Sequence, residues 1–266
     1  KKQIIDFADR KNIGFDQLIY IEKELDQYVP ITIFNSDGNE VDACGNGSRC
    51  IIKLLPLIDS KSKEEYEKNS KKNISLKTKN RILTGSLSDK SKVILDMGNP
   101  IFDWNKIPLS KKIDPGNVDI EIDGEKISFG FCVNVGNPHI IFFNVFNESF
   151  DKFYRQLENF GPKIENHKLF PEKVNVTFAS IVNKEHIVVR VWERGAGLTK
   201  ACGTAACATA VAANKLKLVK NAVTVDFHDN LKGEREGLFI SIEPEPVNKI
   251  FMIGHAGGPS KIELEV

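Results

Sequence analysis

Cys44 and Cys202 stand in matching surroundings. A strand-like run, Ile31-Thr32-Ile33-Phe34, leads to Cys44-Gly45-Asn46-Gly47, and a second, Val188-Val189-Arg190-Val191, leads to Cys202-Gly203-Thr204-Ala205. In each copy the cysteine falls just before, or in, the first turn of a predicted helix. There the unpaired N–H groups and the positive end of the helix dipole favour a thiolate, so such a thiol is expected to titrate near neutral pH. The glycine next to it leaves room for a ligand to approach the backbone, and Asn46 or Thr204 adds a polar contact, an arrangement suited to a carboxylate. An amino acid held by its carboxylate at two opposed helix starts would have its α-carbon between two sulfurs. One thiolate and one thiol could then remove a proton from one face and return one to the other. An α-hydrogen is a very weak acid, so the developing carboxylate charge must meet fixed donors in a dry site.

The chain has five cysteines among 266 residues, an odd number with no Cys-x-x-Cys pair. Neither a disulfide framework nor a zinc knuckle fits, and the chain reads as reduced and cytosolic. Cys50, Cys132 and Cys207 sit in apolar helix or strand contexts and are expected to be buried as small hydrophobes. Cys44 and Cys202 differ, with Asp42, Asn46 and Ser48 around the one and Thr199, Lys200 and Thr204 around the other. No Gly-x-Gly-x-x-Gly comes after a strand and no Gly-Lys-Ser/Thr closes a phosphate loop, which leaves nucleotide cofactors unsupported. The 37 basic and 36 acidic residues nearly cancel, giving no field to gather nucleic acid or an anionic membrane. No apolar run approaches the roughly 20 residues that span a bilayer. A small molecule is the expected partner.

Around these residues β-type runs recur, at 17–21, 29–34, 74–78, 92–96, 128–133, 140–145, 175–182, 187–192, 223–227, 238–242 and 249–253. Helical period and length occur only after Cys44, at 61–70, at 150–160 and after Cys202, while residues 1–9 read as a short amphipathic helix through Ile4, Ile5 and Ala8. The class is α+β. The charged run at 61–72 reads as a solvated helix or loop. The near-repeat implies two similar halves facing each other across a cleft with a cysteine on each wall, 1–115 plus 252–266 carrying Cys44 and 116–251 carrying Cys202, divided at the turn Asp114-Pro115-Gly116-Asn117.

The segments Asp42-Ala43-Cys44-Gly45-Asn46-Gly47-Ser48-Arg49-Cys50 and Glu193-Arg194-Gly195-Ala196-Gly197-Leu198-Thr199-Lys200-Ala201-Cys202-Gly203-Thr204 closely resemble the two active-site signatures of the diaminopimelate epimerase family. Gly14-Phe15-Asp16-Gln17, Phe34-Asn35-Ser36-Asp37-Gly38, Met97-Gly98, Gly136-Asn137-Pro138-His139 and Val174-Asn175-Val176 match further family segments in order. The resemblance implies two pseudo-symmetric α+β domains, each a barrel-like mixed sheet around a central helix. It implies interconversion of LL- and meso-diaminopimelate for lysine and cell-wall synthesis, with no pyridoxal phosphate or metal. Cys44 and Cys202 take the acid and base roles by position, and His139 and Glu193 match residues that support the cysteines. Gln17, Asn35, Asn137, Asn175, Glu193 and Arg194 match substrate-holding positions, and Gly45, Asn46, Gly203 and Thr204 the carboxylate-binding helix starts. A homodimer stays open.

Three departures stand out. The sequence opens after the strand and Gly-Asn-Asp-Phe-like segment with which the family begins, which leaves an edge of the first sheet expected to be unpaired and one substrate contact missing. Ala43 replaces a larger residue, and Leu198 stands where the family commonly has Glu. Two alternatives remain. Proline or hydroxyproline racemases share the two-cysteine plan, but they usually carry His where Asn46 stands and Asp-Arg-Ser-Pro in place of Glu193-Arg194-Gly195-Ala196. An inactive fragment is the other.

Overall fold

Burial with a period of two runs through the strands: in β2, Val29–Asn35, the side chains of Val29, Ile31 and Ile33 are buried and those between them are half-buried. The computed structural model describes residues 1–25, 27–41, 45–79, 81–88, 92–144, 149–228, 237–258 and 260. They form two compact units, residues 1–96 with 253–266, and 97–252. The division falls at Asp96 and Met97, ahead of the expected turn at Asp114 to Asn117. That turn belongs inside the second unit, where Cys132 N–H donates to Pro115 O at 2.7 Å.

The first unit opens with α1 (Lys2–Ala8) and β1 (Gln17–Ile21), then β2, β3 (Glu40–Val41), α2 (Gly45–Asp59), α3 (Lys63–Asn69), β4 (Ile74–Lys77), β5 (Ile82–Leu87) and β6 (Lys92–Gly98). The sheet order is β1-β2-β4-β5-β6 with β3 on β2, antiparallel throughout except for the parallel pair β2/β4. α2 buries one face, Ser48, Arg49, Ile51, Ile52, Leu55 and Pro56, and packs on β5. The approach is close because β5 carries glycine: a Cβ on Gly85 would lie 2.6 Å from Ile52 Cδ1 and 2.5 Å from Ile94 O. α3 buries nothing, as its charge run implies. It starts on a capped turn, with Glu65 N–H donating to Ser62 Oγ at 3.1 Å.

In the second unit β7 (Val118–Ile122), β8 (Glu125–Asn134) and β9 (Pro138–Phe143) precede α4 (Phe150–Glu165). Then come β10 (Asn175–Asn183), β11 (His186–Glu193), β12 (Gly197–Thr199), α5 (Gly203–Lys215), β13 (Ala222–Phe227) and β14 (Leu238–Ile242). The sheet runs β14-β13-β11-β10-β9-β8-β7 with β12 on β11; β9/β10 and β11/β13 are parallel, the other pairs antiparallel. β15 (Ile250–His255) carries the chain back into the first unit. α5 packs against β8, β9, β10, β11, β13 and β14. Its run of Ala and other small residues lets strands approach from all sides, and Gly203 to Ala213 are all buried. α4 packs on β7, β10, β11 and β12. It continues past the expected end at Phe160 through Gly161 and Pro162 to Glu165, and its Phe153, Tyr154, Leu157 and Ile164 join a core with Ile120, Phe142, Phe178 and Phe170.

The strands expected from sequence occur with ends shifted by a few residues, while β3, β5, β7 and β12 are additions that the sequence pattern does not announce. The end of the 140–145 run extends outside the described residues. No helix among the described residues is long and apolar enough to cross a membrane.

Candidate active site

Cys202 is the N-cap residue of α5, in extended backbone at φ −138° and ψ 113°. The first helical bond is Ala206 N–H to Cys202 O at 3.1 Å, so the N–H groups of Gly203, Thr204 and Ala205 lie ahead of it. The thiol is buried, and its Sγ lies 3.4 Å from Thr204 Oγ1. Its pKa is not near neutral, as the helix start alone suggests, but raised well above the usual thiol range. Burial is the largest cause; the charge of the Glu193 carboxylate and a hydrogen bond to it add to this, against a weaker opposing pull from Thr204 and the Ala205 N–H. Cys202 is therefore a thiol, not a thiolate, in this structure.

Glu193 ends β11 and opens the turn to β12, which Ala196 N–H closes onto Glu193 O at 3.1 Å. Gly195 and Gly197 hold φ of +77° and +79°, backbone that other residues adopt with strain. Asn175 braces the turn. Arg194 N–H donates to Asn175 Oδ1 at 2.9 Å, and Asn175 Nδ2 donates to Pro138 O at 2.8 Å. The Arg194 side chain is exposed, and its Nη1 donates to Glu172 O at 3.0 Å.

The same pairing carries His139 beside Asn175, since the two face each other across the parallel strands β9 and β10. His139 is fully buried. Its Nε2 lies 2.9 Å from Asn137 Oδ1; with that oxygen accepting, Nε2 carries the proton and Nδ1 is the lone-pair nitrogen. Nδ1 has no partner among the described residues. Burial, then the nearby Arg194 charge, pull the imidazole pKa down to about 3. His139 is thus held neutral, with the lone pair of Nδ1 open.

The first unit carries the other expected residues. Gln17 and Asn35 are registered opposite each other on β1 and β2, and Gln17 Nε2 donates to Asn35 Oδ1 at 3.0 Å. Gly45 and Asn46 begin α2, and Asn46 Oδ1 accepts from Arg49 Nη2 at 2.6 Å. Arg49 itself is buried and also donates from Nε to His255 O at 3.3 Å. Asp42, Ala43 and Cys44 lie outside the described residues.

Two further outcomes concern residues that sequence patterns place elsewhere or pass over. Cys132 and Cys207 are buried as expected, but Cys50 is exposed, because the face of α2 turned to the sheet is formed by Ser48, Arg49, Ile51, Ile52 and Leu55. Glu165, at the end of α4, is 5% exposed, yet its carboxylate accepts from Trp192 Nε1 at 2.7 Å and from Gly195 N at 2.9 Å. Its sequence context, Lys163-Ile164-Glu165-Asn166, holds no signal for that role.

Comparison with known proteins places the chain in a family. A family model described as diaminopimelate epimerase matches residues 131–256. Diaminopimelate epimerase of Pelagibacter ubique is 49% identical over 230 residues, 85% of this chain and 78% of that protein. That of Sphingopyxis alaskensis is 41% identical over 221 residues, 82% of this chain and 73% of that protein. Among solved structures, a hydroxyproline epimerase from Agrobacterium vitis shares the fold with a TM-score of 0.65 at 13% identity, over 96% of this chain and 76% of that one. Identity of this extent, with most of both partners aligned, means that the chain belongs to the diaminopimelate epimerase family.

Proposed function

We propose that the chain is an isomerase that interconverts LL- and meso-diaminopimelate, in lysine and cell-wall precursor synthesis, with Cys44 and Cys202 as the acid/base pair. The observation that carries this reading is the start of α5: a buried, protonated Cys202 thiol directly ahead of N–H groups not yet engaged by the helix.

In one direction Cys44, as thiolate, takes the α-hydrogen from one face, and the electron pair left on the α-carbon spreads into the α-carboxylate. The carboxylate oxygens accept from the N–H groups of Gly203 and Thr204, and those of Gly45 and Asn46 supply the matching donors at α2. Such fixed donors stabilise the developing charge without reorganisation. Cys202 S–H then delivers its proton to the opposite face. The thiolate it leaves is met by the Thr204 hydroxyl and the Ala205 N–H, while burial and Glu193 keep it strongly basic. That basicity matters in the reverse direction, where Cys202 must abstract a hydrogen far less acidic than a thiol. Arg194, with donors beyond its bond to Glu172, suits the distal carboxylate of the substrate. Gln17 and Asn35 of the first unit and Asn137 and Asn175 of the second are assigned to holding substrate, and the lone pair on His139 Nδ1, without a partner among the described residues, is open to an N–H or S–H donor.

Incubating the folded protein with LL-diaminopimelate in deuterated water tests the scheme. The expected product is meso-diaminopimelate carrying one α-deuterium. Absence of exchange from a protein shown to be folded sinks the reading, and exchange into proline but not diaminopimelate replaces it with the racemase alternative.

A further inference from the structure

Glu165 is a carboxylate in an unfavourable place. It is the last residue of α4, where the negative end of the helix dipole disfavours an anion, and it is 5% exposed. Two N–H groups compensate it: Trp192 Nε1 at 2.7 Å to one oxygen and Gly195 N at 2.9 Å to the other. Lys173 Nζ approaches at 3.5 Å. Both N–H donors flank the pair Glu193-Arg194, so one carboxylate grips the turn on either side of the residues assigned to Cys202 and the substrate.

Packing reinforces the grip. A Cβ on Gly161 of α4 would lie 2.7 Å from Trp192 Cγ, so the glycine allows the indole to seat directly on the helix. Gly197 meets the other part of the ring, its Cβ position 3.6 Å from Trp192 Cη2. The φ of +77° at Gly195 belongs to the conformation in which its N–H reaches Glu165. A buried carboxylate that satisfies both anchor points of this glycine turn fixes the direction of the side chains between them.

We propose that Glu165 is a positioning residue for catalysis: by holding Trp192 and Gly195 it keeps the Glu193 carboxylate against the Cys202 thiol. This rests on the acid/base reading of Cys202. Because Glu193 is one of the groups that raise the thiol's pKa, loosening the turn lowers that pKa, whereas a purely structural role for Glu165 leaves it alone.

The test monitors the Cβ chemical shift of carbon-labelled Cys202 against pH, the signal being assigned by its loss in Cys202→Ser. Glu193→Gln sets the reference, with the titration moving down by about one unit or more. Glu165→Ala is expected to move it in the same direction, and Glu165→Gln, which keeps one acceptor for two donors, by a smaller step. The double variant Glu165→Ala/Glu193→Gln is expected to go no lower than Glu193→Gln alone. Turnover is expected to fall about 10–100-fold in Glu165→Ala.

If Glu165→Ala does not fold, Glu165→Gln and Trp192→Phe, which keeps an aromatic ring but removes the Nε1 donor, decide the matter. A wild-type titration in the folded Glu165 variants overturns the proposal, as does a Glu193→Gln variant that does not titrate lower. The titration needs no substrate. A downward shift in a protein that is inactive on diaminopimelate therefore supports the role of Glu165 while sinking the proposed reaction.

Discussion

The helices α2 and α5 both follow a Cys-Gly pair and lie in opposite environments. α2 is amphipathic: one face lies on β5, while Cys50, Leu57 and Ile58 face solvent. α5 is buried on every side from Gly203 to Ala213. The difference lies in the residues just past the motif. After Cys44-Gly45-Asn46-Gly47 come large aliphatic residues at helical spacing that pack one side on the sheet and leave Cys50 and Asp59 on the exposed side; after Cys202-Gly203-Thr204-Ala205 come Ala, Cys, Thr and Val, which leave no side that needs water. Even the second cysteine of each motif obeys the rule, Cys50 outside and Cys207 inside. A shared signature therefore specifies a helix start and a reacting group, but not the dielectric around that group. At Cys202 burial wins over the helix start and holds the thiol protonated.

The comparison breaks most sharply at the reacting sulfur. Cys202→Ser is expected to lower α-deuterium exchange about 10³-fold or more, since the alcohol is a far weaker acid and its anion inaccessible near neutral pH. Retention of exchange within tenfold would remove Cys202 from the reaction. Next in size are the buried polar groups around α5. Cys207→Ser puts a hydroxyl among Ala205, Ala206 and Ala208 and is expected to lower the unfolding free energy by about 1–3 kcal/mol, read by urea titration. An unchanged midpoint would mean that this helix is less tightly enclosed than the structure has it.

Acid sharpens the same point through His139 on β9, one of the strands around α5. Its folded pKa, about 3, lies below the ordinary 6.5. The unfolded chain therefore gains a proton first: the stabilisation is complete above pH 6.5 and is lost progressively as pH falls toward 3. At pH 5 the loss amounts to about 2 kcal/mol. His139→Gln is expected to flatten the stability curve between pH 6.5 and 5 by that amount relative to the unaltered chain, whatever its effect at pH 7. Parallel curves for the two proteins would show that the imidazole is reachable by protons in the folded state.

Much of this is legible in the sequence, and the misses have physical causes. Apolar runs such as Val29 to Phe34 and Ile187 to Trp192 announce strands because β-branched and aromatic residues suit a pleated surface. β5 is hidden because Gly85 interrupts its pattern, and that glycine is there to admit Ile52 of α2. β7, Val118-Asp119-Ile120-Glu121-Ile122, alternates cleanly between buried and exposed, but its acidic residues read as loop. Asn137, His139, Asn175, Glu193, Arg194, Cys202 and Thr204 can be named from motif resemblance. The link of Arg194 to Asn175 joins residues brought close by the pairing of β10 with β11, which no local pattern reveals. Glu165 is invisible for the same reason: its partners Trp192 and Gly195 are distant in sequence, and a Glu near a helix end normally signals only a solvated face.

The smallest expected effect belongs to Cys50, and it tests the comparison from its exposed side. Its position on the solvent face of α2 means that Cys50→Ser removes no packed contact, so stability is expected to stay within about 0.5 kcal/mol of the unaltered chain. Native-state labelling with a thiol reagent should accordingly modify Cys50 readily and leave Cys132 and Cys207, both fully buried, for the denatured protein. Were Cys50 protected alongside Cys207, the two helices would be alike after all. The contrast in their later residues would then have to be explained by a surface that covers α2 in solution.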